Sequence, residues 1–182
     1  MNASTGVALD AAQNLYVGNA NGAFPGGNSN LYFFPPPYST ATAITPVIAA
    51  ANYRGLAVFG SQLAVAENTG AGSVDVYQLP LTSSSSPAFS MHNGINGPQA
   101  VSFDLSGNLY VANQTGNTVT VYAQPLSAAS TPITTVNLPS GFDAYSLAVG
   151  PPLPVPTLSS SVLVALALAL TVTALVVMRG RA

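Results

Sequence analysis

The chain of 182 residues contains no cysteine and no tryptophan, and three arginines and five acidic residues are its only formally charged side chains. The lack of cysteine excludes disulfides, thiolate metal sites and a cysteine nucleophile. Three cations are too few to neutralise a phosphate backbone, which excludes a nucleic-acid binder. Charged residues make up 4% of the chain, against about 25% in an ordinary soluble domain. Uncharged side chains must therefore supply most of the polar surface.

One long apolar run lies near the C-terminus. Residues 158–178 contain no charged residue, proline or glycine. At about 1.5 Å per residue, a helix of this length crosses a hydrocarbon core of roughly 30 Å. We therefore predict a transmembrane helix here; a buried core helix, the alternative, normally keeps a polar face. Because Arg179 and Arg181 follow the run, we predict a cytoplasmic tail at 179–182, with residues 1–156 on the other side of the membrane.

A proline-rich segment at 151–157 precedes the apolar run and predicts a stiff, extended spacer. The order of short motif, apolar helix and basic tail resembles the C-terminal sorting signals of Gram-negative bacteria, the IPTL-CTERM and PEP-CTERM class. The resemblance implies that an exosortase-like enzyme recognises four consecutive residues, Val155, Pro156, Thr157 and Leu158. Valine replaces the first isoleucine of the motif, and three serines replace its usual continuation. A plain tail anchor with a proline-rich stalk is the alternative.

The region before the tail, residues 1–150, repeats itself. Each of three units has four short apolar runs separated by clusters of Gly, Asn, Ser and Pro. The second runs begin at Asn14, Gln62 and Asn108, so the period is 48 and then 46 residues. Four strands in such a period are typical of a β-propeller blade. The residue pattern of the units resembles NHL-type and YVTN-type propeller repeats. We predict an all-β, partial β-propeller rather than a β-sandwich. The predicted blades span residues 5–50, 53–97 and 98–142.

A fourth unit begins at residues 143–149, where Ser146-Leu-Ala-Val matches the first run of the other units. We predict one further strand there. Propellers typically have 4 to 8 blades, and Met1 leads directly into a first run without a signal peptide. We therefore expect an N-terminally incomplete chain. A complete one would have uncovered sheet edges, and would form an open arc or pair with a second copy.

Several polar residues recur at equivalent positions of the units. Three follow the second run and are candidates for a ligand-binding face, with turn capping as the alternative: Asn19, Glu67 and Asn113. Asp10 and Asp104 end the first run of two units, and Phe59 takes that place in the middle unit. Paired acids suit general acid–base catalysis. Acids at matching repeat positions are more simply turn formers, whose carboxylates accept backbone N–H groups.

The remaining candidates are isolated. His92 is the only histidine, and no acid lies near it in sequence, so no metal site is predicted. Arg54 is positioned to bind a carboxylate ligand or to pair with a neighbouring acid. Equivalent aromatic residues, which we expect to pack between blades, are Phe34, Tyr77 and Tyr122.

These observations predict a non-enzymatic module of the bacterial cell envelope or extracellular matrix, without cofactor or metal. It is tethered to the membrane or sorted, with release or surface display after tail processing. The expected partners are the membrane, a sorting enzyme and an extracellular ligand or protein. The alternative is a fragment of a propeller hydrolase or lyase whose catalytic residues lie in further blades.

Overall fold

The computed structural model describes residues 3–20, 30–38 and 52–150. The chain divides into two compact units, Met1–Val149 and Gly150–Ala182. Every regular element of the described part is a β-strand, and every pairing is antiparallel. This confirms the predicted all-β class for that part. The predicted transmembrane helix, sorting motif and arginine tail lie outside the described residues.

The described residues form eleven strands in three sheets, one for each repeat unit. The first sheet has the order β1 (Ala3–Leu9), β2 (Leu15–Ala20), β3 (Asn30–Phe34). The second has the order β4 (Tyr53–Phe59), β5 (Gln62–Glu67), β6 (Ser73–Gln78), β7 (Phe89–Met91). The third has the order β8 (Pro98–Phe103), β9 (Leu109–Asn113), β10 (Thr118–Tyr122), β11 (Thr134–Asn137). Each sheet is thus a meander, with the strands at the positions that the repeated runs predict. The fourth run of the first unit lies outside the described residues.

The second sheet is buried on both faces because it lies between the other two. Its third strand, β6, is buried at every position except Gln78. Side chains of the second sheet that pack against the first sheet include Leu56, Leu63, Val65 and Tyr77. Those that pack against the third sheet include Ala64, Ala66, Val74 and Val76. Alternate residues of one strand therefore enter two different cores, as the pleat of a strand requires.

The first strands of successive sheets, β1, β4 and β8, lie next to one another. Glycine makes this approach possible. A Cβ built on Gly6 would lie 2.4 Å from the carbonyl oxygen of Arg54, and one on Gly55 would lie 2.6 Å from the Cα of Ala100. The glycines occupy equivalent positions of their units, so the same backbone contact occurs at both junctions.

Residues 143–149 form no strand, contrary to the prediction. Ala144 is buried, and the side-chain amide of Gln114 donates a hydrogen bond to the hydroxyl of Tyr145. No described strand pairs with this segment, so its backbone lacks the ladder of hydrogen bonds that defines a strand.

Candidate functional site

Two hollows lie beside the turn that joins β4 to β5. One, of about 360 Å³, is lined by Phe59, Ser61, Gln62, Gln78, Ser106 and Gln124. The other, of about 300 Å³, is lined by Asp10, Ala12, Asn14, Ser61, Leu79 and Pro80. The lining comes largely from the hairpin turns between the first and second strands of the three sheets. We call this region the turn surface.

The turn between β1 and β2 is organised by the carboxylate of Asp10. Its Oδ1 accepts hydrogen bonds from the backbone N–H groups of Ala12 and Asn14, both at 2.9 Å. Its Oδ2 accepts from the side-chain amide of Asn14 at 2.8 Å and from the hydroxyl of Tyr16 at 2.9 Å. Burial raises the pKa of Asp10, but these hydrogen bonds outweigh burial and lower the pKa below its ordinary value.

Asp104 repeats this geometry between β8 and β9. Its Oδ1 accepts from the backbone N–H groups of Ser106 and Asn108, both at 2.9 Å. Its Oδ2 accepts from the side-chain amide of Asn108 at 2.8 Å and from the hydroxyl of Tyr110 at 3.4 Å. The bond from the Asn108 side chain contributes most to lowering the pKa of Asp104. Both acids thus act as turn formers, and a lowered pKa is the opposite of what a general acid needs near neutral pH.

The middle turn lacks both members of the Asp–Asn pair. Phe59 and Gln62 stand where the other units have aspartate and asparagine. The ring of Phe59 packs against the ring of Phe103 at a tilt of 33°, with centroids 5.6 Å apart. It also lies so close to Gly107 that a Cβ there would be 2.4 Å from the ring. The Oε1 of Gln62 accepts a hydrogen bond from Gln124 at 3.1 Å. Sequence reasoning missed this site, although the joint loss of aspartate and asparagine in one unit is a signal that marks it.

The turn surface offers uncharged polar groups beside apolar ones. Glutamine side chains and serine hydroxyls of the first hollow are hydrogen-bond donors and acceptors without charge. The only ionisable group lining the second hollow, Asp10, is already held within its own turn. Both hollows are shallow and largely open to solvent, so they offer neutral polar and apolar groups side by side on an open surface and do not enclose a ligand as a deep pocket does.

Two of the three predicted ligand-face residues serve instead as caps. Asn113 is fully buried; its Oδ1 accepts from the backbone N–H of Asn96 at 3.1 Å, and its Nδ2 donates to the hydroxyl of Thr120 at 2.9 Å. The Oε1 of Glu67 accepts from the backbone N–H of Asn52 at 3.2 Å. Each cap ties the end of a second strand to the segment that leads into the first strand of its sheet. Without exposed surface, Asn113 has no contact to offer a ligand, so its assignment to a ligand face is wrong.

The caps also lie away from the turn surface. Gln62 and Glu67 occupy opposite ends of β5, so the predicted ligand face and the hollows are at different ends of the strands. The side chain of Asn19 lies outside the described part of the structure.

The isolated candidates do not join any cluster. His92 is exposed, and its backbone carbonyl accepts a hydrogen bond from Ile95 at 3.1 Å. In residues 3–20, 30–38 and 52–150, no group of three or more His, Cys, Asp or Glu side chains is placed to hold a metal ion. The Nε of Arg54 is buried and has no hydrogen-bond partner in the described structure. The predicted carboxylate partner is therefore not found at that atom.

A scan against protein-family models gave no match to this chain. A search of curated proteins gave no match either. Among the residues that the structure describes, no helix has the length and apolar character needed to span a bilayer. What the fold defines is a class: an all-β protein in which each repeat unit forms an antiparallel meander.

Proposed function

We propose that this protein is an exported β-propeller-type module, held at the bacterial cell envelope by its C-terminal tail, that binds a partner without chemical conversion. The main support for the propeller architecture is the contact between neighbouring sheets, which occurs twice. Gly6 and Gly55 bring the first strands of successive sheets into backbone contact in the same way. Sheets that pack face to face with their first strands side by side are the arrangement expected of propeller blades.

The proposed location at the cell envelope depends on the C-terminal tail. A proline-rich spacer, an apolar run and two arginines follow the repeats in the order of a sorting signal. The uncharged polar surface of the repeats suits a protein whose role is binding outside the cytoplasm. The turn surface is the proposed binding site, because its hollows combine amides, hydroxyls and an aromatic ring in a neutral setting.

Cell fractionation tests the proposed location at the envelope. A tagged chain is expressed with an export signal in a Gram-negative host. The full-length chain should stay in the membrane pellet after an alkaline carbonate wash, and a chain ending at residue 157 should be released by that wash. If the shortened chain resists the wash, tail anchoring is wrong. In a host with an exosortase-like enzyme, Pro156→Ala should block the loss of mass on processing, whereas Pro154→Ala, outside the motif, should not.

Binding is tested with the isolated host envelope as the probe. Ser61 is exposed between the two hollows, so Ser61→Trp should fill them and reduce retention of the shortened chain on the envelope. Ile133→Trp is the control, since Ile133 is 62% exposed and does not line either hollow. Equal retention of the two variants would refute the turn surface as the binding site.

A further inference from the structure

We propose that Arg54 is the centre of a second binding site, which takes the carboxylate group of a ligand. Arg54 lies near the start of β4, whereas the turn surface lies beside Phe59 at the end of that strand. The two sites are therefore at opposite ends of the second sheet, and this one goes beyond the proposed function. Three features support it: a bulge in β4, a buried nitrogen without a hydrogen-bond partner, and the positions of the acids.

A β-bulge sets Arg54 apart from the rest of β4. The register of β4 on β5 shifts between Tyr53 and Leu56, so Arg54 and Gly55 lie together opposite one residue of β5. Tyr53 and Leu56 enter the core shared with the first sheet, whereas Arg54 is only half-buried. A bulged residue lacks a cross-strand partner, and bulges commonly re-aim a side chain beside a functional site.

The same bulge occurs in the first strands of the other two sheets. The register of β1 shifts just before Gly6, and that of β8 shifts just before Ala100. In β8 the bulged residue is Gln99, which is uncharged, whereas β4 has Arg54. The backbone therefore forms the bulge without a charge, and the arginine is a feature of the second unit alone.

The guanidinium group of Arg54 has an unused hydrogen-bond donor. Its Nε is buried and has no partner in the described structure. A buried N–H without a partner is costly and rare in folded proteins. Because the residue as a whole is half-buried, the side chain is within reach of a ligand from solvent. Binding includes a rotation of the side chain that turns Nε toward the ligand and gives this atom the acceptor that it lacks.

No acid of the sequence supplies that acceptor. The acids all lie within the described residues: Asp10, Glu67, Asp75, Asp104 and Asp143. None of them accepts a hydrogen bond from Nε of Arg54 in that part of the chain. Glu67 pairs with Tyr53 in the sheet, yet its Oε1 accepts from the backbone N–H of Asn52 at 3.2 Å. We therefore place the carboxylate on a ligand.

The chemistry of the site favours a carboxylate over a phosphate. A guanidinium group presents Nε and a terminal nitrogen in a fixed fork that matches the two oxygens of a carboxylate. One cation balances one carboxylate, whereas a phosphate monoester carries a charge of about −1.5 to −2 near pH 7. Arg54 is the only lysine or arginine among residues 1–178, so no second cation is at hand for the additional charge.

NMR of the full-length chain in detergent tests the site. The chain has three arginines, so labelling arginine with ¹⁵N gives one Nε–H signal for each. A variant with both Arg179→Lys and Arg181→Lys keeps a single signal, which assigns Arg54 without altering the site. Sodium acetate should move the signal of Arg54 to a saturating value and leave the other two in place. Sodium chloride at equal ionic strength, and neutral acetamide, should not move it.

Two larger probes distinguish the source of the carboxylate. Glucuronate carries it on a sugar and N-acetylglycine on an amino acid, and we expect the better of the two to saturate the Arg54 signal at a tenth of the acetate concentration or less. If both only match acetate, the site recognises the carboxylate alone. Equal movement of all three arginine signals with acetate, or an Arg54 signal that none of the probes moves, would overturn the proposal.

Thermal unfolding gives a second measurement that does not depend on the signals. The probe that binds best should raise the Tm of the natural chain, because a ligand that binds only the folded state stabilises it. The rise should be absent in Arg54→Gln and reduced in Arg54→Lys, which keeps the charge but lacks the fork. Ser61→Trp alters only the turn surface and should keep the full rise, so failure of one site is distinguished from failure of the other. An equal rise in the natural chain and in Arg54→Gln would place the binding elsewhere and refute the proposal.

Discussion

The close contact at Gly55 makes its replacement by alanine a quantitative test of the sheet packing. A Cβ there would lie 2.6 Å from the Cα of Ala100 and 2.8 Å from the backbone N of Val101. The shorter distance is 0.8 Å below the 3.4 Å at which ordinary contact begins, and the obstacle is backbone rather than a movable side chain. The second and third sheets must therefore separate at this junction, which loosens the core between them.

The loss of stability expected for Gly55→Ala is the difference between two opposing effects. Overpacking of a core typically costs about 1 to 3 kcal/mol, and replacing glycine with alanine returns about 0.4 to 1 kcal/mol through the unfolded chain. We expect Gly55→Ala to lower the free energy of unfolding by up to about 2.6 kcal/mol, with a central value of about 1.3 kcal/mol. For a unit of this size the central value lowers Tm by about 3 to 5 °C.

Gly18→Ala is the matched control. Its Cβ would lie 3.5 Å from a side-chain methyl of Leu56, an ordinary contact, so Gly18→Ala should keep the gain of about 0.4 to 1 kcal/mol from the unfolded chain without a packing cost. Urea unfolding of the full-length chain in detergent, followed by the near-ultraviolet circular dichroism of tyrosine, gives both values. If Gly55→Ala is as stable as Gly18→Ala, the first strands are not in the backbone contact described.

Three further predictions concern the turns and the buried polar groups. The pKa values of Asp10 and Asp104 are lowered in the folded protein, so their stabilising effect is complete above the ordinary carboxyl range of about pH 4 and is lost as the pH falls through the folded values. A chain with both changed to asparagine should therefore lose less stability on acidification, and an unchanged pH profile of Tm would contradict this. Asn113→Ala leaves buried groups without partners and should cost about 1 to 3 kcal/mol in urea unfolding, whereas Glu67→Gln keeps the accepting oxygen and should cost less than about 0.5 kcal/mol; equal costs would contradict the capping role of Asn113. Burial raises the pKa of Tyr53 to about 12, so the stability that it contributes is complete below about pH 10 and is lost as the pH rises toward the folded value. Tyr53→Phe should flatten the alkaline decrease in Tm, and a decrease of unchanged slope would refute this assignment.

The repeats alone predicted where the described strands lie, because alternation and turn residues are local features. They also predicted the role of Asp10 and Asp104, since the partners of each carboxylate come from the next six residues of the chain. Asn113 was harder to interpret from sequence. Its burial depends on contacts with Asn96 and Thr120, and a polar residue after a strand has the same local pattern whether it is buried or exposed.

The turn surface shows a second limit of sequence reasoning. Phe59 and Gln62 belong to the second sheet, whereas Gln124 follows β10 of the third sheet. Only the packing of those sheets brings Gln124 within hydrogen-bond distance of Gln62. The joint loss of aspartate and asparagine marks the middle turn as different, but it does not show which side chains from the neighbouring unit lie against it.

The sequence by itself determined the all-β class of the described part, the period of the units and the turn chemistry of the two aspartates, because each depends on residues close along the chain. Only the tertiary structure decided which positions are buried. Val7, Leu56 and Val101 are equivalent in the repeat, yet the first is exposed and the other two are buried. The reason is that a strand specifies the two faces of its sheet, whereas the number and order of the sheets decide which faces are covered.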